Sequence, residues 1–449
     1  MIGDDGPMLR VSDDHRRARI ARRLLLAPAH RRDDLHTATA ALTALHATEY
    51  STIHLALHAR VGALTVPDVE HALDQSRTLV KVMAMRRTLW AVESSLQPYV
   101  AAGPGARVAA AERRRLAKEA AELGDEAWLA DAEQAVLAVL DGPPLSAREV
   151  TGALPAFDAR FTSGRGRWAA EIPLIPRLLT ILCADGAIVR GPNASHWRQS
   201  KPTWVATSAW LGARNAAGAA DLLLPEGHGL VAEDAADVPR TSGGGSGTAS
   251  AAKSPETRHG SVPSRAMTPQ EAYAHLARSW LAGFGPGTED DLVWWFGATK
   301  GAIRAALADI DVEEVELESG ETAYVLAGDT DDLEGAPDRE PWVALLPTLD
   351  PTTMGWRGRD FYLDPRHTRY LFDSAGNGGL TIWVDGRIVG AWGQDVTDGN
   401  RIRLLPREPL DRDTRRRLDL EVARLADFLR GERLMNTFGD PQLRGARLA

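Results

Sequence analysis

The stretch 239–268, built around Thr241-Ser242-Gly243-Gly244-Gly245-Ser246-Gly247 and continuing in Ser, Ala, Lys and Pro, constrains the fold more than any other part of the chain. It carries too little apolar surface to offset the entropy of ordering it. The sequence therefore predicts a disordered linker with independent units on either side. A chain of 449 residues is roughly three domains' worth at about 150 residues each, so more than one unit is expected before the linker.

Upstream, 33–62 carries Leu35, Leu42, Leu45 and Ile53 at roughly helical spacing, and 66–76 reads as a second helix with Pro67 suited to its first turn. Residues 79–92 alternate through Val80, Val82, Met85 and Leu89 and read as extended. Helices followed by a short ribbon are what a winged helix needs, and the pattern recurs twice. In the second copy Ser146 caps a short helix, 171–184 is a long apolar helix, and 187–190 and 203–205 are strands. In the third, Thr288 caps a helix that includes Trp294 and Trp295, 300–307 is the second helix of a helix-turn-helix pair, and 312–317 with 322–326 forms the wing. After Pro341, short strands at 342–346, 379–384, 387–392 and 401–405 alternate with Gly/Asn/Asp turns, and an amphipathic helix spans 412–429. The expected fold class is α+β. Three tandem winged-helix domains (1–125, 126–238 and 269–335) precede a small C-terminal β-barrel-like domain with a terminal helix (336–449), and the linker occupies 239–268.

A formal charge of −9 argues on its face against a polyanionic partner. The sum hides a polarity. Residues 1–120 hold 18 Lys/Arg against 13 Asp/Glu and residues 145–214 hold 9 against 4, whereas residues 286–341 hold 3 against 16. The first half suits a polyanion, and the acidic third module suits a scaffold. Cys183 is the only cysteine, which excludes an intrachain disulfide and leaves a cysteine zinc site short of ligands. A reducing cytoplasm is expected. The N-terminus shows no export signal, and no stretch of about 18 apolar residues predicts a membrane span.

Four groups of residues bear on identity. They are Met85-Arg86-Arg87-Thr88-Leu89-Trp90; Ala187-Ile188-Val189-Arg190-Gly191 with Trp197-Arg198; Gly285-Pro286-Gly287-Thr288 with Trp294-Trp295 and Lys300-Gly301; and, near the C-terminus, Leu346-Pro347-Thr348-Leu349-Asp350-Pro351, Gly355-Trp356-Arg357-Gly358-Arg359 and 384–392. In this order they resemble, over nearly the whole chain, the bacterial AlkZ/YcaQ-type winged-helix DNA glycosylases and the wider group of winged-helix DNA-binding proteins. The resemblance implies a DNA-repair hydrolase, cytoplasmic and nucleoid-associated. It would act as a monomer on double-stranded DNA, without metal or other cofactor, to excise N7-alkylated purines or bulky and crosslinked adducts. The alternative is a noncatalytic, regulatory DNA-binding protein.

The family's catalytic signature is a Gln-x-Gln or Gln-x-Asp tripeptide late in the first helical region, and His46 and Thr48 stand at the matching positions. N7-alkylation makes the purine a cationic leaving group, so hydrolysis needs mainly a held water and a stabilised oxocarbenium-like sugar. His46, with an ordinary pKa near 6.5, could take a proton from water, and Thr48 could give or accept one hydrogen bond. For DNA contact the candidates are Arg86, Arg87, Arg165, Arg167, Lys201, Arg357 and Arg359 on wings and loops. Arg198 would follow a narrow groove, with Trp197 wedging or stacking, and Trp356 lies in the same loop as Arg357 and Arg359. His54 and His58 have the i, i+4 spacing of a zinc pair but lack a third ligand, so ordinary helix histidines are the expected reading.

Overall fold

The computed structural model describes residues 8–164, 166–212, 266–337, 340–395 and 397–434. Arg165 and nearly all of the predicted linker lie outside the described residues.

The predicted helix 33–62 is interrupted, and the interruption makes the site. Helix α2 (Leu35–Leu42) is N-capped by the Asp34 carboxylate and stops at Thr43, whose φ of 60° is left-handed. The chain then runs extended as β2 (Leu45–His46) before turning into α3 (Tyr50–His58). Leu42, Ala44, Leu45 and Ala47 are all buried. A segment apolar on both sides carries no periodicity that separates helix from strand. The open edge of the hairpin β3 (Leu79–Met83) and β4 (Leu89–Glu93) settles the matter, because β2 pairs antiparallel with β4.

That hairpin is the middle of a larger sheet. Strand β3 pairs on its other side with β7 (Ile188–Arg190), through Lys81 and Arg190, and β7 pairs with β8 (Trp204–Ala206). The order is β2-β4-β3-β7-β8, so strands expected in two separate wings share one sheet. The predicted helix 171–184 begins only at Leu174, because Ala170–Pro173 pairs with Arg160–Ser163 as a separate hairpin.

After the undescribed segment comes α4 (Pro269–Phe284), whose N-terminus is closed by a reciprocal Thr268–Glu271 capping box. It is followed by α5 (Glu289–Phe296), capped by Thr288 as expected, α6 (Lys300–Ala308), and the hairpin β9 (Val312–Leu317) and β10 (Thr322–Leu326). The N-terminal strand β1 (Arg10–Val11) joins β9 in parallel. Helix α4 crosses α2 at backbone contact: a Cβ on Gly283 would lie 2.2 Å from the Ala41 carbonyl oxygen. One hydrophobic cluster runs from Ile20 through α4 to Leu434, so the units on the two sides of the linker share a core rather than packing independently.

The C-terminal strands β11 (Val343–Leu346), β12 (Thr381–Val384), β13 (Arg387–Asp395) and β14 (Arg401–Pro406) form an open antiparallel meander in chain order, not a closed barrel. Four strands are too few to close around a core. Helix α7 (Arg412–Leu429) instead packs against β11 and β14. The fold is mixed α+β.

Candidate functional site

The β2–α3 junction brings His46 and Thr48 together. His46 lies opposite Trp90 in the β2–β4 register, its ring 4.7 Å from the indole, and is 2% exposed. Thr48 is exposed. The Thr48 amide donates to His46 Nδ1 at 3.4 Å, and the Leu89 amide donates to Thr48 Oγ1 at 3.4 Å. An accepting Nδ1 puts the proton of the neutral ring on Nε2. Burial, and secondarily the charge of Arg86, push the His46 pKa down to about 3. The expectation of a base near 6.5 is therefore corrected. His46 stays neutral at ordinary pH and is too weak a base to remove a proton from water, but its Nε2–H can donate to one. Thr48 Oγ1, which accepts from the Leu89 amide, keeps a lone pair and its own proton.

Sequence reasoning missed the network behind this junction. Tyr50 donates its hydroxyl to both Glu70 carboxylate oxygens, at 3.0 and 3.2 Å, and His54 Nε2 lies 2.6 Å from Glu70 Oε1. Lys81, buried in the middle of the sheet, sits 4.8 Å from the centre of the Tyr50 ring and 3.6 Å from Asp74 Oδ1. Burial alone would raise Glu70, but the hydrogen bonds from His54 and Tyr50 hold it below the usual carboxylate range. No local spacing signals this group, since Glu70, Asp74 and Lys81 come from different elements. His58 turns elsewhere: it stacks on Phe428 at 4.4 Å, and Arg424 donates to its carbonyl oxygen at 2.7 Å. A cleft of about 490 Å³ opens on this side, lined among others by His58, Val66, His196, Trp197 and Phe428. Asp364, His367 and Glu408 are close enough together to hold a metal, but both Asp364 oxygens are already engaged by Arg366.

The DNA candidates divide into four groups. Trp197 and Trp356 are core residues. Trp197 Nε1–H donates to Glu432 at 3.1 Å and Trp356 Nε1–H to the Phe284 carbonyl at 3.1 Å, so neither is presented as a wedge. Arg198 and Arg357 are paired, with Glu432 at 2.7 Å and Asp290 at 2.6 Å. Arg167 is exposed in the turn between Arg160–Ser163 and Ala170–Pro173, Lys201 is exposed in the loop between β7 and β8, and Arg87, also exposed, has Glu112 at 3.2 Å. Arg86 and Arg359 converge: their guanidiniums lie 4.2 and 5.4 Å from the centre of the Trp294 ring. Arg86 and Arg87 reach their places from left-handed backbone, with φ of 54° and 58°, at a cost of roughly 1–2 kcal/mol per residue.

The site is fixed to the C-terminal sheet by a buried ion pair. Arg60, just past α3, reaches both Asp350 oxygens at 2.8 and 3.0 Å and Thr352 Oγ1 at 2.7 Å, with both charged groups fully buried. Thr52 on α3 also donates to the Thr348 carbonyl at 2.9 Å. The Leu346–Pro351 motif seen in the sequence thus holds the helix that follows Thr48.

The profile of the family described as "DNA glycosylase AlkZ-like" matches residues 39–428, which includes the β2–α3 junction and the Arg60–Asp350 pair. Among solved structures, Streptomyces sahachiroi DNA glycosylase AlkZ is similar with a TM-score of 0.65 and 18% identity, covering 94% of this chain and 97% of that one. That likeness is one of fold. No curated protein sequence matches the chain significantly.

Proposed function

Because the chain belongs to the AlkZ-like DNA glycosylase family, we propose that it hydrolyses the N-glycosidic bond of N7-alkylated purines, or of bulky and crosslinked adducts of that type, in duplex DNA. In this reading the helix pairs and hairpins act as winged helices around the duplex. The observation that carries it is the hydrogen bond from the Thr48 amide to His46 Nδ1, which joins the two residues that the resemblance matches to the family's catalytic tripeptide. The alkylated purine leaves with the bonding electrons and becomes neutral, so departure needs no acid. A water held between His46 Nε2–H and Thr48 Oγ1 then adds to the anomeric carbon, and its proton passes by way of Thr48 to solvent. Catalysis of this kind is positional.

One observation favours the noncatalytic alternative: the residue pair offers neither a carboxylate nor a basic imidazole, so activation of the water is weak. Excision of N7-methylguanine from a labelled duplex separates the two readings. The expected result is slow release by the wild-type protein that falls at least tenfold in His46→Ala. Absence of release above background across several alkyl lesions would remove the enzymatic reading. Equal release by His46→Ala would remove His46 from the mechanism.

A further inference from the structure

Neither of the two arginines gathered at Trp294 has a carboxylate partner among the described residues, although Arg359 hydrogen-bonds the Gly376 carbonyl and the Tyr362 hydroxyl. Among the described residues no carboxylate and no hydrogen-bond acceptor engages the Arg86 guanidinium, and its Nε is buried without a partner. Its charged neighbour is another cation: burial first, then Arg359, pull its pKa down to about 10, which leaves it protonated at neutral pH. Arg359 is held against Phe372 at 4.3 Å and donates Nη2–H to the Gly376 carbonyl at 3.2 Å, while its own Nε is also buried and unpartnered. Two guanidiniums against one half-buried indole repel each other, and stacking offsets only part of that repulsion. The arrangement is nonetheless built. Left-handed Arg86 is braced by Gly297, whose Cα would carry a Cβ only 3.2 Å from the Arg86 amide nitrogen, and Arg107 Nε–H pins the Gly297 carbonyl at 2.9 Å. Cationic groups kept together without a counter-charge are completed by an anion. The charge of Arg86 is felt at His46, so the anion would lie beside the candidate reaction centre.

We infer that Arg86 and Arg359, stacked against Trp294, form a two-cation receptor for one DNA backbone phosphodiester, which sets the register of the flanking nucleotide relative to His46 and Thr48. The inference rests on the DNA-glycosylase reading for its ligand, but its test reads binding and not excision. The geometry joins the β3–β4 turn, α5 and the loop before Leu363, so closing on a phosphate also ties the first unit to the C-terminal one. Phosphate contacts of this kind position a duplex without reading its sequence.

The test measures binding of a duplex containing a tetrahydrofuran abasic analogue by fluorescence anisotropy, across a range of salt concentrations. The proteins are the wild type, Arg86→Gln, Arg359→Gln and the double variant, each checked for folding by circular dichroism. Each single change is expected to weaken binding about tenfold while leaving the slope of log K against log salt nearly unchanged, because the other arginine still neutralises the phosphate. The double variant is expected to lower the slope by about one, because one phosphate is shared. Arg86→Lys keeps the charge without the fork, so it should keep the slope and lose only part of the affinity. Arg304→Gln, whose arginine is already paired with Glu289 at 2.6 Å, should leave the slope as it was. An unchanged slope in the double variant would overturn the receptor, as would a drop of two, or affinities unchanged in both single variants. If Arg86→Gln does not fold, the double variant is made as Arg86→Lys with Arg359→Gln, and an affinity equal to the wild type's overturns the receptor. A wild type that excises nothing but shows these slopes keeps the receptor and removes the enzyme. Excision with an unaltered slope in the double variant does the reverse.

Discussion

Burial sets the behaviour of His46 and His58. Both imidazoles are depressed below their ordinary pKa, first by burial and then by neighbouring arginines. The folded pKa lies below the unfolded value near 6.5, so the unfolded chain takes up protons first as the pH falls. Their contribution is complete above about pH 6.5 and is lost as the pH falls toward the folded pKa, on the order of 1 kcal/mol per pH unit for each histidine. Urea unfolding between pH 7 and pH 4.5 should show this loss, and His46→Gln should remove the His46 share of the slope. An identical pH slope in the variant would contradict the placement of His46. The same shift predicts that kcat/KM has no acid limb near pH 6.5 and stays flat down to about pH 5, where an imidazole base would already have lost activity. That His46 and Thr48 would sit together was legible, since the resemblance picks them out two residues apart on one segment. Their chemistry was not, because the depressed pKa of His46 comes with burial against Trp90 and the approach of Arg86, both far along the chain.

Elements whose signals are local came through the sequence well. Capping residues Ser146 and Thr288 start helices, and the amphipathic run at α7 is found at its predicted length. Elements decided by distant partners did not, as with β2, which is strand only because β4 offers an edge, and Ala170–Pro173, which is strand only because Arg160–Ser163 does. The meander has the predicted strands without closing, since strand content reads locally and closure depends on what packs at the edges. Two inter-element joints are open to test. Arg60→Met leaves Asp350 charged, buried and without its ion-pair partner, a change expected to cost about 3–5 kcal/mol. Replacing both partners by apolar residues of similar volume should recover most of that loss, as read from urea midpoints. Gly283→Ala places a methyl group against the Ala41 carbonyl and must part α2 from α4. The expected destabilisation is about 1–3 kcal/mol, and an unchanged midpoint would mean the helices are free to shift.

Over the whole molecule, the segment charges locate the acidic block correctly but overstate the basic surface left for DNA. Much of the N-terminal excess is engaged inside the protein. Arg19 reaches Asp329 at 2.6 Å and Asp332 at 3.3 Å, Arg23 reaches Asp329 at 2.5 Å, and Arg22 pairs with Asp332, so the basic helix Asp13–Arg23 lies on the acidic third segment. Farther along, Arg31 pairs with Glu421 at 2.8 Å, Arg113 with Glu133 at 2.7 Å and Arg177 with Glu112 at 2.6 Å. An arginine already paired with a carboxylate releases few of the counterions condensed on the DNA, so the salt dependence of DNA binding counts only the cations the fold leaves available. The double variant Arg22→Gln, Arg23→Gln removes two positive charges from the chain yet is expected to leave the slope of log K against log salt unchanged. Because it unpairs Asp329 and Asp332 in part, it should lower the unfolding temperature by a few degrees, corresponding to roughly 1 kcal/mol. A slope reduced by about two would place those arginines on DNA in the complex, and would require the Asp13–Arg23 helix to leave the acidic segment when the duplex binds.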